Sequence, residues 1–124
     1  RMSTKHYFAR QVMERGAYFL EGLRDLQKRH KEIGDVDGLG LALRAEICQE
    51  DGFAPNRELL DRMVDIGLSG DLDYQGKKVG LVLDVGGYYK NVITFAPSLM
   101  ISFAEIDQAM VLLDQLLTRA KRAM

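Results

Sequence analysis

The apolar residues of this 124-residue chain change their spacing along its length, and that change decides the fold class. From Phe8 through Val12, Phe19 and Leu23 to Leu26 they recur at steps of three, four or seven. That is the stripe of an amphipathic helix. From Leu39 the period falls to two. Leu41, Leu43, Ala45 and Ile47 point one way, and Gly40, Ala42, Arg44 and Glu46 the other. That is a strand with one greasier face. A chain holding both patterns hides its apolar surface by laying helices on a sheet.

The first helix is expected from Ser3 to His30, a stretch without proline. Its length of about 40 Å exceeds the radius of gyration of about 14 Å for a domain this size, so part of it is expected to lie on another domain or subunit. Gly16 interrupts its stripe, at a cost of about 1 kcal/mol relative to alanine. Close approach by another backbone is the expected reason, with a plain weak point in the helix as the alternative. Gly34 is expected to end this helix, and Asp35–Gly38 to form a turn-rich bridge. Glu50, Asp51 and Gly52 read as a turn. Pro55 leads into a second helix, with Asn56 as N-cap, Glu58 in the first turn and Leu59, Leu60, Met63 and Ile66 on its apolar side. Gly67 and Gly70 mark its exit. Asp71–Lys78 reads as a polar loop, Val79–Leu83 as a buried strand, Gly86-Gly87 as a break, and Val92–Phe95 as a third strand ending near Pro97.

The last helix has the clearest boundary. Ser102 and Glu105 have the spacing of a capping box, with Ile101 and Ile106 as its hydrophobic staple. Ile106, Met110, Leu113 and Leu117 form the buried stripe, joined by Ala109 and Leu116. Arg119, Lys121 and Arg122 suit the negative helix end. The expected order is helix, strand, helix, two strands, helix. The fold class is α/β, α+β-like: a small antiparallel or mixed sheet with helices on one face. Residues 1–124 read as one domain.

Several functions lose ground on composition. Apolar residues make up 47% of the chain, enough for a core and too many for a disordered tail. Seventeen basic residues against eighteen acidic ones leave no positive face for nucleic acid. No apolar run reaches the roughly 20 residues of a membrane helix. One cysteine, Cys48, permits no intrachain disulfide. No signal peptide is visible, and a cytoplasmic location is the expected default.

The chemistry-bearing residue types do not assemble a reaction by themselves. Asp35, Asp37, Glu46, Glu50 and Asp51 span turns and strand ends without metal-ligand spacing, so no metal is expected. His6 and His30 read as surface residues of the first helix, and Cys48 as a buried small hydrophobe. Gly38 and Gly40 precede a strand and lack the third glycine of a dinucleotide motif, since position 43 is Leu43. They read as a turn with close packing. Gly86 and Gly87 suit a hairpin turn, with an anion-binding nest as the alternative. Tyr88, Tyr89 and Lys90 either line a pocket or interface or face solvent.

Four segments together resemble the C-terminal small domain of class III, or omega, aminotransferases, fold-type I pyridoxal-phosphate enzymes. They are Gly16–Leu20 with Leu23 and Leu26, Ile33–Glu46 (IGDVDGLGLALRAE), Asn91–Ile101 (NVITFAPSLMI), and the capped helix Ser102–Leu117. The resemblance implies pyridoxal 5'-phosphate as cofactor, with its lysine and main phosphate contacts in a large domain outside this chain. It also implies a homodimer. It implies transfer of an amino group from an amine, diamine or (di)amino acid to a 2-oxo acid. The catalytic residues are then outside this chain, which alone is expected to be inactive. Thr94, Tyr88, Tyr89 and Lys90 are the substrate-pocket candidates, and Gly38, Gly40, Gly86 and Gly87 the structural glycines near the site. The alternatives are a non-catalytic interaction domain, or another reaction of the same cofactor such as decarboxylation, racemisation or aminomutase chemistry.

Two positions depart from the family pattern. Asp37 precedes Gly38 where Arg-Gly-x-Gly is common, and Thr94 stands where arginine or lysine commonly helps hold a substrate carboxylate. A hydroxyl offers one donor and cannot reproduce a bidentate guanidinium pair. The change favours a diamine, a diamino acid or another amino donor, or recognition by another residue.

Overall fold

The computed structural model describes residues 4–40, 42–95 and 101–123. Helix α1 spans Thr4–Arg29, followed by strands β1 (Ile33–Leu39) and β2 (Ala42–Ile47). Helix α2 (Arg57–Leu68) leads to a short hairpin, β3 (Leu72–Tyr74) and β4 (Lys77–Val79). Strands β5 (Asp84–Gly86) and β6 (Val92–Phe95) precede the last helix, α3 (Phe103–Arg122). The main sheet is antiparallel in the order β1-β2-β6-β5, and β3-β4 stands apart.

One face of this sheet is the floor of the core. Leu43, Ala45 and Ile47 of β2 and Ile93 of β6 are buried there with Phe19, Leu23 and Leu26 of α1, Leu59, Leu60 and Met63 of α2, and Leu113, Leu116 and Leu117 of α3. The expected alternation of β2 and the three helical stripes is therefore what the core is built from. Leu41 and Pro97 lie outside the described residues.

The caps form as read. The Asn56 side chain accepts from the Leu59 amide at 3.1 Å. At α3 the Glu105 amide donates to Ser102 Oγ at 3.0 Å, and the Ser102 amide donates to Glu105 Oε1 at 3.1 Å. Gly16 is also as expected: a β-carbon there would collide with the carbonyl of Gly40.

Five expectations are corrected. Gly34 does not end α1, which stops at Arg29, and Asp35–Gly38 is strand rather than bridge. The turn-like residues of β1 are tolerated because it is an edge strand with an irregularity between Ile33 and Val36. The turn comes at Gly40 instead, with φ of 58°, so Leu39 closes β1 rather than opening β2. Asp71–Lys78 contains the β3-β4 hairpin, whose tip Gln75-Gly76 has φ values of 50° and 79°. Positive φ at both tip residues suits a tight two-residue turn. Only Val79 of Val79–Leu83 lies in a strand. The Leu81 amide donates to the Gly67 carbonyl at the end of α2, at 2.9 Å, which holds that segment against a helix rather than in a ladder.

Candidate functional site: the open face of the sheet

The sheet face away from the core carries a polar row, set by register. Asp37 of β1 is the partner of Arg44 of β2, Arg44 of Thr94 of β6, and Thr94 of Asp84 of β5. Directly paired residues in an antiparallel sheet project to the same side. All four are exposed, while their chain neighbours Leu43, Ala45 and Ile93 are buried. The row therefore reads carboxylate, guanidinium, hydroxyl, carboxylate across the whole sheet.

Its groups are loosely engaged. Arg44 Nη2 is 4.0 Å from Asp37 Oδ2, and the other Asp37 oxygen accepts from the Gly38 amide at 2.7 Å. The Thr94 hydroxyl reaches the Asp84 carbonyl oxygen only at 3.4 Å. Thr94 also borders a cleft of about 70 Å³ on the helix side of the β5-β6 edge, lined by Leu83, Ile93, Ala109 and Leu113.

The other candidates lie at the two ends of the sheet. Gly86 pairs with Val92 at one end, and the turn from Gly87 to Lys90 follows. Gly87 has φ of 87°, Lys90 has φ of 54°, and the Lys90 amide donates to the Gly87 carbonyl at 3.3 Å. This is the hairpin turn read from the glycines. Tyr88 and Tyr89 pack edge to face, with ring centres 4.9 Å apart, and both are exposed. Gly38 pairs with Leu43, itself the partner of Phe95, so Gly38 and the Gly40 turn belong to the opposite end. The two glycine pairs thus flank Thr94 rather than cluster beside it.

A buried polar network escaped the sequence. His30 is not a surface residue of α1; it lies just past the helix end and is 6% exposed. Its Nε2 is 2.6 Å from Asp114 Oδ1, and its Nδ1 is 2.8 Å from Lys121 Nζ. Lys121 also donates to Glu32 Oε1 at 3.2 Å. An ammonium can only donate, so the imidazole accepts at Nδ1 and gives its one hydrogen to Asp114 from Nε2. This network clamps the end of α1 to α3, and nothing in the spacing of residues 84 and 91 positions apart announces it. His6 has no described side chain. Cys48 is fully buried, as read, and burial pushes its thiol above the ordinary range. The carboxylates Asp35, Asp37, Glu50 and Asp51 are exposed and Glu46 is half-buried; Asp35 and Asp37 lie within β1 rather than in a turn.

Residues 2–117 match the model of the family described as aminotransferase class-III. The chain belongs to that family. Solved transaminase structures share the fold. A transaminase from the marine bacterium Virgibacillus superposes with a TM-score of 0.78 at 18% identity, over 96% of this chain and 26% of its own. Among curated class III relatives, the acetylornithine aminotransferase of Caldanaerobacter subterraneus is 30% identical over 95% of this chain and 25% of its own length. The 5-aminovalerate aminotransferase of Pseudomonas aeruginosa is 33% identical over 76% and 20%. The alanine/serine racemase of Pyrococcus horikoshii is 27% identical over 84% and 20%. This chain thus spans about a quarter of the length of the relatives it matches.

The class III family depends on pyridoxal phosphate. The cleft beside Thr94 holds about 70 Å³ and no lysine lines it. Lys121, which lines a cleft elsewhere, is engaged by His30 and Glu32. Among the described residues no helix is long and apolar enough to cross a membrane, and no group of three or more His, Cys, Asp or Glu could hold a metal ion.

Proposed function

We propose that this chain is the C-terminal small domain of a pyridoxal-phosphate-dependent aminotransferase. The whole protein moves an amino group from an amine or amino acid to a 2-oxo acid. The observation that carries the reading is the family match along residues 2–117, joined to coverage of a quarter or less of the curated relatives' length. The cofactor and the groups that react with it then belong to the large domain. The role of this domain is to wall the substrate pocket with the open sheet face. Thr94 sits in that wall, and the Gly86–Lys90 turn with Tyr88 and Tyr89 forms its rim. A homodimer in the cytoplasm is part of the same proposal, by likeness to the family.

The substrates named by two relatives narrow the amino donor. Acetylornithine and 5-aminovalerate each carry a primary amine and a carboxylate. The donor of this enzyme is proposed to have the same two groups. The racemase relative favours a second reading, in which the same cofactor inverts an α-carbon and no amino group leaves the substrate.

The test takes the native gene product from its source cells. An intact mass near that of a two-domain enzyme is expected, with cofactor absorbance and transamination across a panel of amino donors and 2-oxo acids. A native product of 14 kDa, the mass of this chain, would overturn the reading and leave a stand-alone interaction domain. Inversion of alanine or serine without amino transfer would move the assignment to the racemase.

A further inference from the structure

We infer that Arg44 is the residue that grips the carboxylate of the amino donor, with Thr94 beside it as a secondary donor. The inference rests on the aminotransferase reading and deepens it, because it names the group that selects the substrate class.

Register carries the argument. Arg44 and Thr94 are direct partners across the β2-β6 ladder. Their β-carbons are therefore about 5 Å apart on the same face. An arginine side chain is long enough to bring its guanidinium over the space in front of Thr94. Any substrate that reaches Thr94 is within reach of Arg44. The threonine at position 94 therefore does not leave the centre of this face without a cation; the cation stands one strand over.

Arg44 also has capacity to spare. It is the one basic residue in the four strands of the sheet. Its side chain is 54% exposed, and its contact with Asp37 is a loose 4.0 Å. A guanidinium has five N–H donors in a planar fork that matches a carboxylate with two parallel bonds. The Thr94 hydroxyl, held at 3.4 Å by the Asp84 carbonyl, is free to turn toward a better acceptor.

The flanking carboxylates set direction. Asp84 on the far side of Thr94 repels an anion there and favours the cationic end of a donor. Asp37 competes weakly for the guanidinium, since its second oxygen is committed to Gly38. The row as a whole carries one more negative than positive charge, so long-range attraction is not the source of selectivity. Selectivity comes from short-range, bidentate contact at one residue. Donors with an amine and a carboxylate are preferred over simple alkylamines of equal length.

The experiment uses the full-length enzyme and compares 4-aminobutyrate with butylamine as donors. In Arg44→Gln the ratio of the two kcat/KM values is expected to fall about tenfold or more, the scale of one charged hydrogen-bonded contact. Arg44→Lys keeps part of the preference, because a point charge remains without the fork. Saturation-transfer NMR with butyrate gives a readout independent of turnover: signal in the wild type, and none in Arg44→Gln. An unchanged ratio, or equal losses for both donors, overturns the inference. If the wild type transfers amino groups from neither donor, the wider donor panel decides the aminotransferase reading, and butyrate decides the assignment of Arg44. Binding that survives in Arg44→Gln then overturns the assignment of Arg44, and binding lost in that variant upholds it as an anion contact.

Discussion

Gly16 of α1 packs directly against the carbonyl of Gly40, in the turn that joins β1 to β2. No side chain separates the helix from the turn at this point. On an isolated helix, alanine at position 16 would gain about 1 kcal/mol. Here its methyl meets backbone, which cannot rotate away. Gly16→Ala is expected to destabilise the protein by about 1–3 kcal/mol, the usual cost of overpacking. Urea denaturation checks it. Gly70→Ala is the companion: φ is 72° but nothing lies within 4 Å, so only conformational strain of about 1 kcal/mol is expected. No loss, or a gain in stability, in Gly16→Ala would show that crowding at Gly16 contributes nothing.

The Asp114 carboxylate serves two partners of very different burial. It accepts from buried His30 and is 3.3 Å from Arg29, whose side chain is 57% exposed. Asp114→Ala is expected to cost about 1–3 kcal/mol, because it leaves a buried imidazole N–H unpaired. Arg29→Ala is expected within about 0.5 kcal/mol of wild type. Thermal denaturation of the two variants separates them, and a larger loss in Arg29→Ala would contradict the clamp.

Cys48 is held as a thiol. Burial, then the nearby Glu46 and Asp51 charges, raise its titration above the ordinary range. A raised folded value means that this group's contribution to stability is fully present below the unfolded thiol value. It is lost as pH rises toward the folded one. At neutral pH Cys48 is expected to react with a disulfide reagent far more slowly than the same cysteine in urea. Rapid modification of the folded protein would place the thiol at the surface.

Asp51 works in the opposite sense. Its carboxylate accepts from the Phe53 amide at 2.8 Å and the Ala54 amide at 3.0 Å, which lower its titration range. The contribution is present above the unfolded carboxylate value and fades as pH falls through the folded one. Asp51→Asn keeps an acceptor oxygen and is expected to flatten this part of the acid-denaturation curve. An unchanged acid profile in Asp51→Asn would remove Asp51 from the account.

The sequence was most legible where a structure declares itself within one turn. Ser102 and Glu105 satisfy each other locally, so α3 could be started to the residue. Gly16 was legible because a glycine inside an apolar stripe has few physical reasons to be there. β1 was not, because Gly34, Asp35, Asp37 and Gly38 are turn formers, and only pairing with β2 makes them a strand. Leu81–Leu83 alternate like a strand yet hang from the Gly67 carbonyl. His30 was misplaced because its partners arrive from α3, far along the chain. At the candidate site, Thr94 could be singled out by family resemblance. Its nearness to Arg44 is a matter of register between distant strands, which local patterns do not encode.

The order β1-β2-β6-β5 has a consequence for how the molecule comes together. Each outer pair is a hairpin between consecutive strands and can form on its own. The central seam, Glu46 against Val92 through Leu43 against Phe95, joins chain segments separated by α2 and the small hairpin. Closing it requires a long loop, which is slow compared with forming a hairpin. The polar row spans that seam, so Arg44 and Thr94 meet only when the two halves of the sheet have found each other.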